Sequence, residues 1–151
     1  MAYEFDAVRM GLITISDRAS KGIYHDEGIP ALKAWAEQVL LNPITFVTKV
    51  IPDEQPLIEA TLKEFVDIEH CALVLTTGGT GPAPRDVTPD ATLAVADRVM
   101  EDFGEAMRMK SLAITPNALI SRCLGAFVEQ SLVLALPGKP KGAVECLSFV
   151  K

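Results

Sequence analysis

Apolar positions along this chain alternate between two periods. Residues 8–16 (VRMGLITIS) are rich in β-formers and predict an opening strand. Residues 44–51 alternate well enough to predict a second, and 71–75 form a short apolar run of the buried-strand kind. Residues 123–128 and 131–136 are two more β-like runs joined by Glu129-Gln130, with Gly125 weakening the first. Between these runs the spacing is helical. Ile29, Leu32, Trp35, Ala36, Val39 and Leu40 share one face of a helix predicted over 30–40, with Trp35 as its core anchor. Leu57, Ile58, Leu62, Phe65 and Val66 form a second stripe. Thr88-Pro89-Asp90 reads as a helix start, with Thr as N-cap, Pro at the first helical position and an acid in the first turn. That pattern continues through Leu93, Ala94 and Ala96 to an end near Val99-Met100. Residues 103–112 form a Met-rich helical stretch that suits core or subunit contact equally. Residues 116–121 predict a short helix, and a last helical pattern starts at Lys141, with the chain ending inside it at Lys151.

Strands alternating with helices predict a three-layer α/β/α sandwich with a mainly parallel sheet, built as one domain over residues 1–151. In such sheets ligands bind beyond the carboxyl ends of the strands. Four loops lead from a strand to a helix: 16–22, 52–55, 78–88 and 137–141. With parallel strands they open on one edge. That edge gathers Arg18, Lys21, Arg85, Lys139 and Lys141 with Asp17, Asp53 and Asp86.

Composition narrows the partners. Of 151 residues, 49% are hydrophobic, enough for one substantial core. The formal net charge of −6 argues against nucleic acid or an anionic membrane, which both need a broad basic face. A local cationic edge on an acidic protein suits a phosphorylated small molecule instead. Cys71, Cys123 and Cys146 have no metal or disulfide spacing and read as buried free thiols. Met1 to Asp6 lacks the basic start and apolar run of a signal peptide, and no apolar run approaches the roughly 20 residues of a membrane span. The expected compartment is the cytoplasm.

The chemistry centres on Thr76-Thr77-Gly78-Gly79-Thr80-Gly81-Pro82, closed by Arg85-Asp86. The order is strand, glycine loop, helix. Glycines let backbone N–H groups converge on an anion, and the helix N-terminus adds partial positive charge. The loop fits neither G-x-x-x-x-G-K-[ST] nor G-x-G-x-x-G. Asp53 and Asp86, at the tips of separate loops beside this cradle, suggest Mg²⁺, which takes one or two carboxylates and completes its octahedron with phosphate and water. Plainer roles compete: Asp53 as a helix cap, Asp86 as a partner for Arg85, Asp17 as a turn residue, Asp90 as a helix-start acid. Lys139 serves either as a solvated turn residue or as a cation for phosphate. His25 and His70 suggest no role.

The same residues carry a resemblance. Thr76 to Gly81, Arg85-Asp86-Val87-Thr88-Pro89, Ile15-Ser16-Asp17 and Leu136-Pro137-Gly138-Lys139-Pro140 resemble the MogA/MoaB family of molybdenum-cofactor biosynthesis, which includes the gephyrin G domain. Segments 16–30 and 51–55 are most similar to its MogA branch. The resemblance implies ATP- and Mg²⁺-dependent transfer of AMP to the terminal phosphate of molybdopterin, with release of pyrophosphate. It implies a homotrimer and, downstream, a partner enzyme that inserts molybdate. It makes Asp53 and Asp86 the catalytic, metal-holding acids. It gives Thr77, Gly78, Gly79, Thr80, Gly81 and Arg85 the nucleotide phosphates, and it lines the rest of the site with Ser16, Asp17, Pro137, Gly138 and Lys139. It also implies a further strand and helix beyond Lys151. A non-catalytic molybdopterin-binding or scaffolding module is the competing expectation, since the fold serves assembly in gephyrin; CinA-like nucleotide enzymes, which are much longer chains, are a third. The presence of both aspartates favours the enzyme.

Overall fold

Strand β1 (Val8–Ile15) lies inside the sheet with a parallel partner on each side, β2 (Ile44–Ile51) and β3 (Leu73–Thr77). The structure is a computed structural model and describes residues 6–150. Residues 1–5, most of the stretch read for a signal peptide, and Lys151 lie outside the described residues. The remaining elements are α1 (Asp17–Ser20), α2 (Gly28–Val39), α3 (Gln55–Asp67), α4 (Thr88–Val95), β4 (Arg98–Met100), α5 (Glu101–Ser111), a 3₁₀ helix (Pro116–Ile120), β5 (Leu124–Val128), β6 (Ser131–Leu136) and α6 (Pro140–Val150). Sheet order is β2-β1-β3-β6-β5-β4. The first four pair in parallel, while β5 is antiparallel to both β6 and β4.

Strand periodicity splits the core in two, because successive side chains point to opposite faces. Met10, Leu12, Leu75 and Leu136 pack with Leu32 and Ala36 of α2, Met107 of α5 and Leu147 of α6. Ile13, Ile15, Val74 and Val133 pack with Ile58, Leu62 and Phe65 of α3 and Ala91 of α4. These are the two outer helical layers of the expected sandwich. Each such fully buried Leu, Ile, Val or Met side chain contributes about 1.5–3 kcal/mol.

Five details depart from the sequence reading. The helix expected to reach Val99-Met100 stops at Val95, and Arg98–Met100 is an edge strand. No apolar period holds a helix there, whereas β5 offers a free edge: Asp97 N–H donates to the Phe127 carbonyl at 2.9 Å. The third strand runs Leu73–Thr77 rather than 71–75, so the ladder carries Thr76 and Thr77 into the glycine loop. Helix α2 begins at Gly28, two residues before Pro30, because the Asp26 carboxylate accepts from Gly28 N–H at 3.0 Å and Ile29 N–H at 3.3 Å. Thr88 is not an N-cap. It is the first helical residue of α4, fully buried, and its Oγ1 donates to the Gly78 carbonyl at 2.9 Å. The polar loop 16–22 also holds the one-turn helix α1, capped by Ser16 Oγ accepting from Ala19 N–H at 3.2 Å.

Candidate active site

The loops that leave β1, β2, β3 and β6 open onto one edge, around a cleft of about 780 Å³. Ser16, Asp53, Thr77, Gly78, Gly79, Thr80, Gly81 and Asp86 line it, as do Pro137, Gly138 and Lys139. Asp17 and Arg85 do not line it; they pair with each other and brace the loops that do. Arg18 and Lys21 are exposed and lie outside the lining.

The glycine loop is held at both ends. Gly78 N–H donates to Leu136 C=O at 3.1 Å, and Thr88 N–H to Gly79 C=O at 3.2 Å. Thr77 Oγ1 donates to Pro137 C=O at 2.6 Å, joining the loop to the exit of β6. Gly78's amide is therefore occupied. Among the described residues no backbone carbonyl takes the amides of Gly79, Thr80 and Gly81, which remain for an anion.

Both plainer roles for the two acids fail. Helix α3 is capped at Glu54 with no side-chain bond, so Asp53 is not its cap. Instead Asp53 Oδ2 accepts from Asp17 N–H at 2.9 Å, and Asp17 Oδ1 accepts from Asp53 N–H at 3.0 Å. Arg85 does not pair with Asp86. Its guanidinium grips Asp17 at both oxygens, at 2.7 Å and 3.0 Å. This fork holds the Asp17 carboxyl below its ordinary range. Asp86 Oδ2 accepts from Ala83 N–H at 3.0 Å, within its own loop. Three loops are thus tied through Asp17, which is more than a turn residue.

Asp53 is the unusual group. Its Oδ1 is buried with no hydrogen-bond partner. Burial pushes its pKa up, against the Asp17 amide that favours the charge; the neighbouring charges of Asp17 and Asp86 push the same way as burial. The unpartnered oxygen lies 3.0 Å from where a Cβ on Gly79 would sit, and Asp86 Oδ2 lies 2.8 Å from the corresponding point on Gly81. Each carboxylate therefore abuts one glycine of the loop. A buried carboxylate oxygen without a donor fits a cation. Among the described residues no cluster of three or more His, Cys, Asp or Glu could hold a metal alone. The protein supplies two carboxylates, and phosphate and water would have to supply the rest, which is the Mg²⁺ pattern.

Part of the cleft was not foreseen. Met107, Arg108, Ser111, Asn117, Ser121 and Cys123, between α5 and β5, extend it beyond the loops. Tyr24 also reaches it, its hydroxyl 2.8 Å from Ser16 Oγ. The hydrophobic pattern marked residues 103–112 only as core or contact, and nothing local marks them as a wall. The three cysteines are buried and free, as expected.

Residues 11–151 match the protein family described as a probable molybdopterin binding domain. The chain belongs to that family. Over 144 residues it is 60% identical to a Haemophilus influenzae protein named molybdopterin adenylyltransferase, covering 95% of this chain and 73% of the relative. An Escherichia coli protein of the same name is 58% identical over 146 residues, covering 97% of this chain and 75% of the relative. Among solved structures, the molybdopterin biosynthesis Mog protein from Mycobacterium ulcerans aligns with a TM-score of 0.85 at 34% identity, over 95% of this chain and 91% of that one. The molybdopterin-binding family and the three-layer fold are therefore those that the glycine loop and its flanking motifs suggested.

Proposed function

We propose that this protein is a molybdopterin adenylyltransferase. An oxygen of the terminal phosphate of molybdopterin attacks the α-phosphorus of ATP; that P–O bond forms, the bond to the β-phosphate bridging oxygen breaks, and pyrophosphate leaves. The observation that carries this reading is the pair of carboxylates seated on the glycine loop, one with a buried, unpartnered oxygen. A binding or scaffolding module has no need of that arrangement, because removing a carboxylate oxygen from water without a partner destabilises the fold.

The amides of Gly79, Thr80 and Gly81 bind nucleotide phosphates, and Lys139 adds a cation at the edge of the cleft. Asp53 and Asp86 hold Mg²⁺. When bound, the ion supplies charge stabilisation for the transferring phosphoryl group. Arg85 and Asp17 keep the Asp53 and Asp86 loops in register. The unforeseen wall from Met107 to Cys123 gives the cleft room for a bulky organic phosphate beside the nucleotide.

The decisive experiment supplies purified protein with ATP and Mg²⁺, with and without molybdopterin. Pyrophosphate should appear only when molybdopterin is present. Release without it, or none with it, would sink the reading. We also propose a homotrimer, seated on the exposed Met109, Leu112, Ile114, Leu119 and Ile120. Light scattering after size exclusion should report three times 16.3 kDa, and a monomer at every concentration would count against it. The same reading places the protein in the cytoplasm, handing its adenylylated product to a molybdate-inserting enzyme. No helix of the described residues is long and apolar enough to cross a membrane.

A further inference from the structure

Arg122 precedes β5 and belongs to none of the motifs named above. Its two neighbours, Ser121 and Cys123, line the cleft, and Arg122 itself does not. Its side chain reaches instead onto the loop that carries Asp86. Nε donates to Gly81 C=O at 3.3 Å, and Nη2 donates to the carbonyl of Asp86. Nη1 and Nη2 reach the two Asp90 carboxylate oxygens at 3.4 Å and 3.2 Å. The backbone joins in, with Arg122 N–H donating to Thr80 C=O at 2.8 Å. One residue therefore holds the loop at Thr80, Gly81 and Asp86, and ties it to the first turn of α4 through Asp90.

Besides Arg122, the loop is tied by Arg85 to Asp17 and, at its ends, by the Thr88 bonds to the carbonyls of Gly78 and Gly79. Pro82, Ala83, Pro84 and Arg85 are exposed; the internal bonds between Ala83 and Asp86 close a turn, and Arg85 ties that turn to the Asp17 loop, on the side away from β5 and α4. A planar guanidinium presents its donors in a fixed fork, so one side chain can set several acceptors in one geometry; an ammonium cannot. The ion pair with Asp90 is too exposed to matter much by charge alone. What the fork contributes is position.

We infer that Arg122 is a positioning residue that holds Asp86 and the amides of Thr80 and Gly81 in the arrangement needed for AMP transfer. The inference rests on the adenylyltransferase reading for its kinetic consequence, but not for its structural one. Because Arg122 lies between two residues of the cleft wall, it also links that wall to the carboxylate loop.

The test compares wild type with Arg122→Lys and Arg122→Gln. Two properties are measured: hydrogen exchange of peptides spanning 79–90, and steady-state AMP transfer across a Mg²⁺ titration. In Arg122→Gln, kcat should fall about 10- to 100-fold and the Mg²⁺ needed for half-maximal rate should rise, with KM for molybdopterin nearly unchanged. Exchange over 79–90 should quicken, and Arg122→Lys should fall between the other two in both properties. A merely structural arginine would lower the melting temperature without moving the Mg²⁺ dependence. Unchanged kcat, or a fall in kcat without faster exchange, overturns the inference. If Arg122→Gln does not fold, Arg122→Lys carries the comparison on the same criteria. If wild type transfers no AMP, the adenylyltransferase reading fails separately. Calorimetry with Mg²⁺-ATP then replaces kinetics: weaker binding with faster exchange in the variants upholds the role of Arg122, and wild-type values of either overturn it.

Discussion

Asp53→Asn and Asp86→Asn should each cut AMP transfer by roughly a thousandfold or more, while both variants stay folded and bind molybdopterin. Loss of a catalytic metal contact commonly removes several kcal/mol of transition-state stabilisation, and each ~1.4 kcal/mol is about tenfold in rate. Asn keeps an oxygen for the Asp17 amide at position 53 and for the Ala83 amide at position 86, so the loop bonds survive. Stability gives Asp53 a second, independent signature. The Asp53 carboxyl has a raised pKa, with burial as the main cause. A carboxyl whose folded pKa is raised binds its proton more tightly in the folded state. It therefore costs stability once pH rises above its ordinary value of 3.8 and through the elevated one, and that cost vanishes as pH falls back. Asp53→Asn should consequently melt no lower than wild type at neutral pH, and this advantage should shrink on acidification. Asp17 runs the other way. Its depressed pKa, held by Arg85, contributes stability above the ordinary carboxylate range that is lost as pH falls through the depressed value. An Asp53→Asn protein that melts well below wild type and still transfers AMP at full rate would make Asp53 structural.

The parts of this site that were legible in sequence are the ones encoded locally. A β-run, a glycine loop and a helix-start acid lie consecutively between Leu73 and Asp90, and each has its own composition. Parallel topology then follows from alternation, and it brings the four loops to one edge without any knowledge of contacts. What could not be read is what joins the loops. Asp17 and Arg85 are separated by 68 positions, and Asp17 and Asp53 by 36, so no period or motif links them. Local reasoning offers Asp86 as a partner for its neighbour Arg85 because adjacency is the only relation that sequence displays. The cleft wall between α5 and β5 was missed for a similar reason. Met107 is core on one side and cavity lining on the other, and its apolar character reports only the first. Edge strand β4 was absorbed into a helix because three residues give no alternation to count.

Gly78→Ala should be the most damaging single methyl that can be added to this loop. Gly78 has φ of +107°, a region that L side chains rarely adopt, and a Cβ there would stand 2.1 Å from the carbonyl oxygen of Ile15. That oxygen belongs to the backbone of a central strand and cannot swing aside. Gly79, at φ +69°, would meet Thr88 Oγ1 at 2.2 Å and Asp53 Oδ1 at 3.0 Å. Those are side-chain atoms, so Gly79→Ala has some relief, though the relief moves the carboxylate proposed to hold Mg²⁺. Gly22 provides the control: φ is +73°, with nothing within 4 Å of the added carbon. Its replacement by Ala should cost only the left-handed backbone term of about 1–2 kcal/mol. The expected order in urea midpoints is therefore wild type, Gly22→Ala, Gly79→Ala, Gly78→Ala. The last should lose on the order of 4 kcal/mol or more, a size reserved for specific steric or burial faults. ATP affinity should follow a different order. Gly22→Ala should bind as wild type does, whereas folded Gly79→Ala or Gly79→Val should bind weakly, and so should Gly81→Val, whose Cβ would press Asp86 Oδ2 at 2.8 Å. Equal urea midpoints for Gly22→Ala and Gly78→Ala would show that the Ile15 carbonyl can yield. Wild-type ATP affinity in a folded Gly79 or Gly81 variant would reduce the loop to a turn, because a phosphate cradle cannot keep its grip once a side chain fills it.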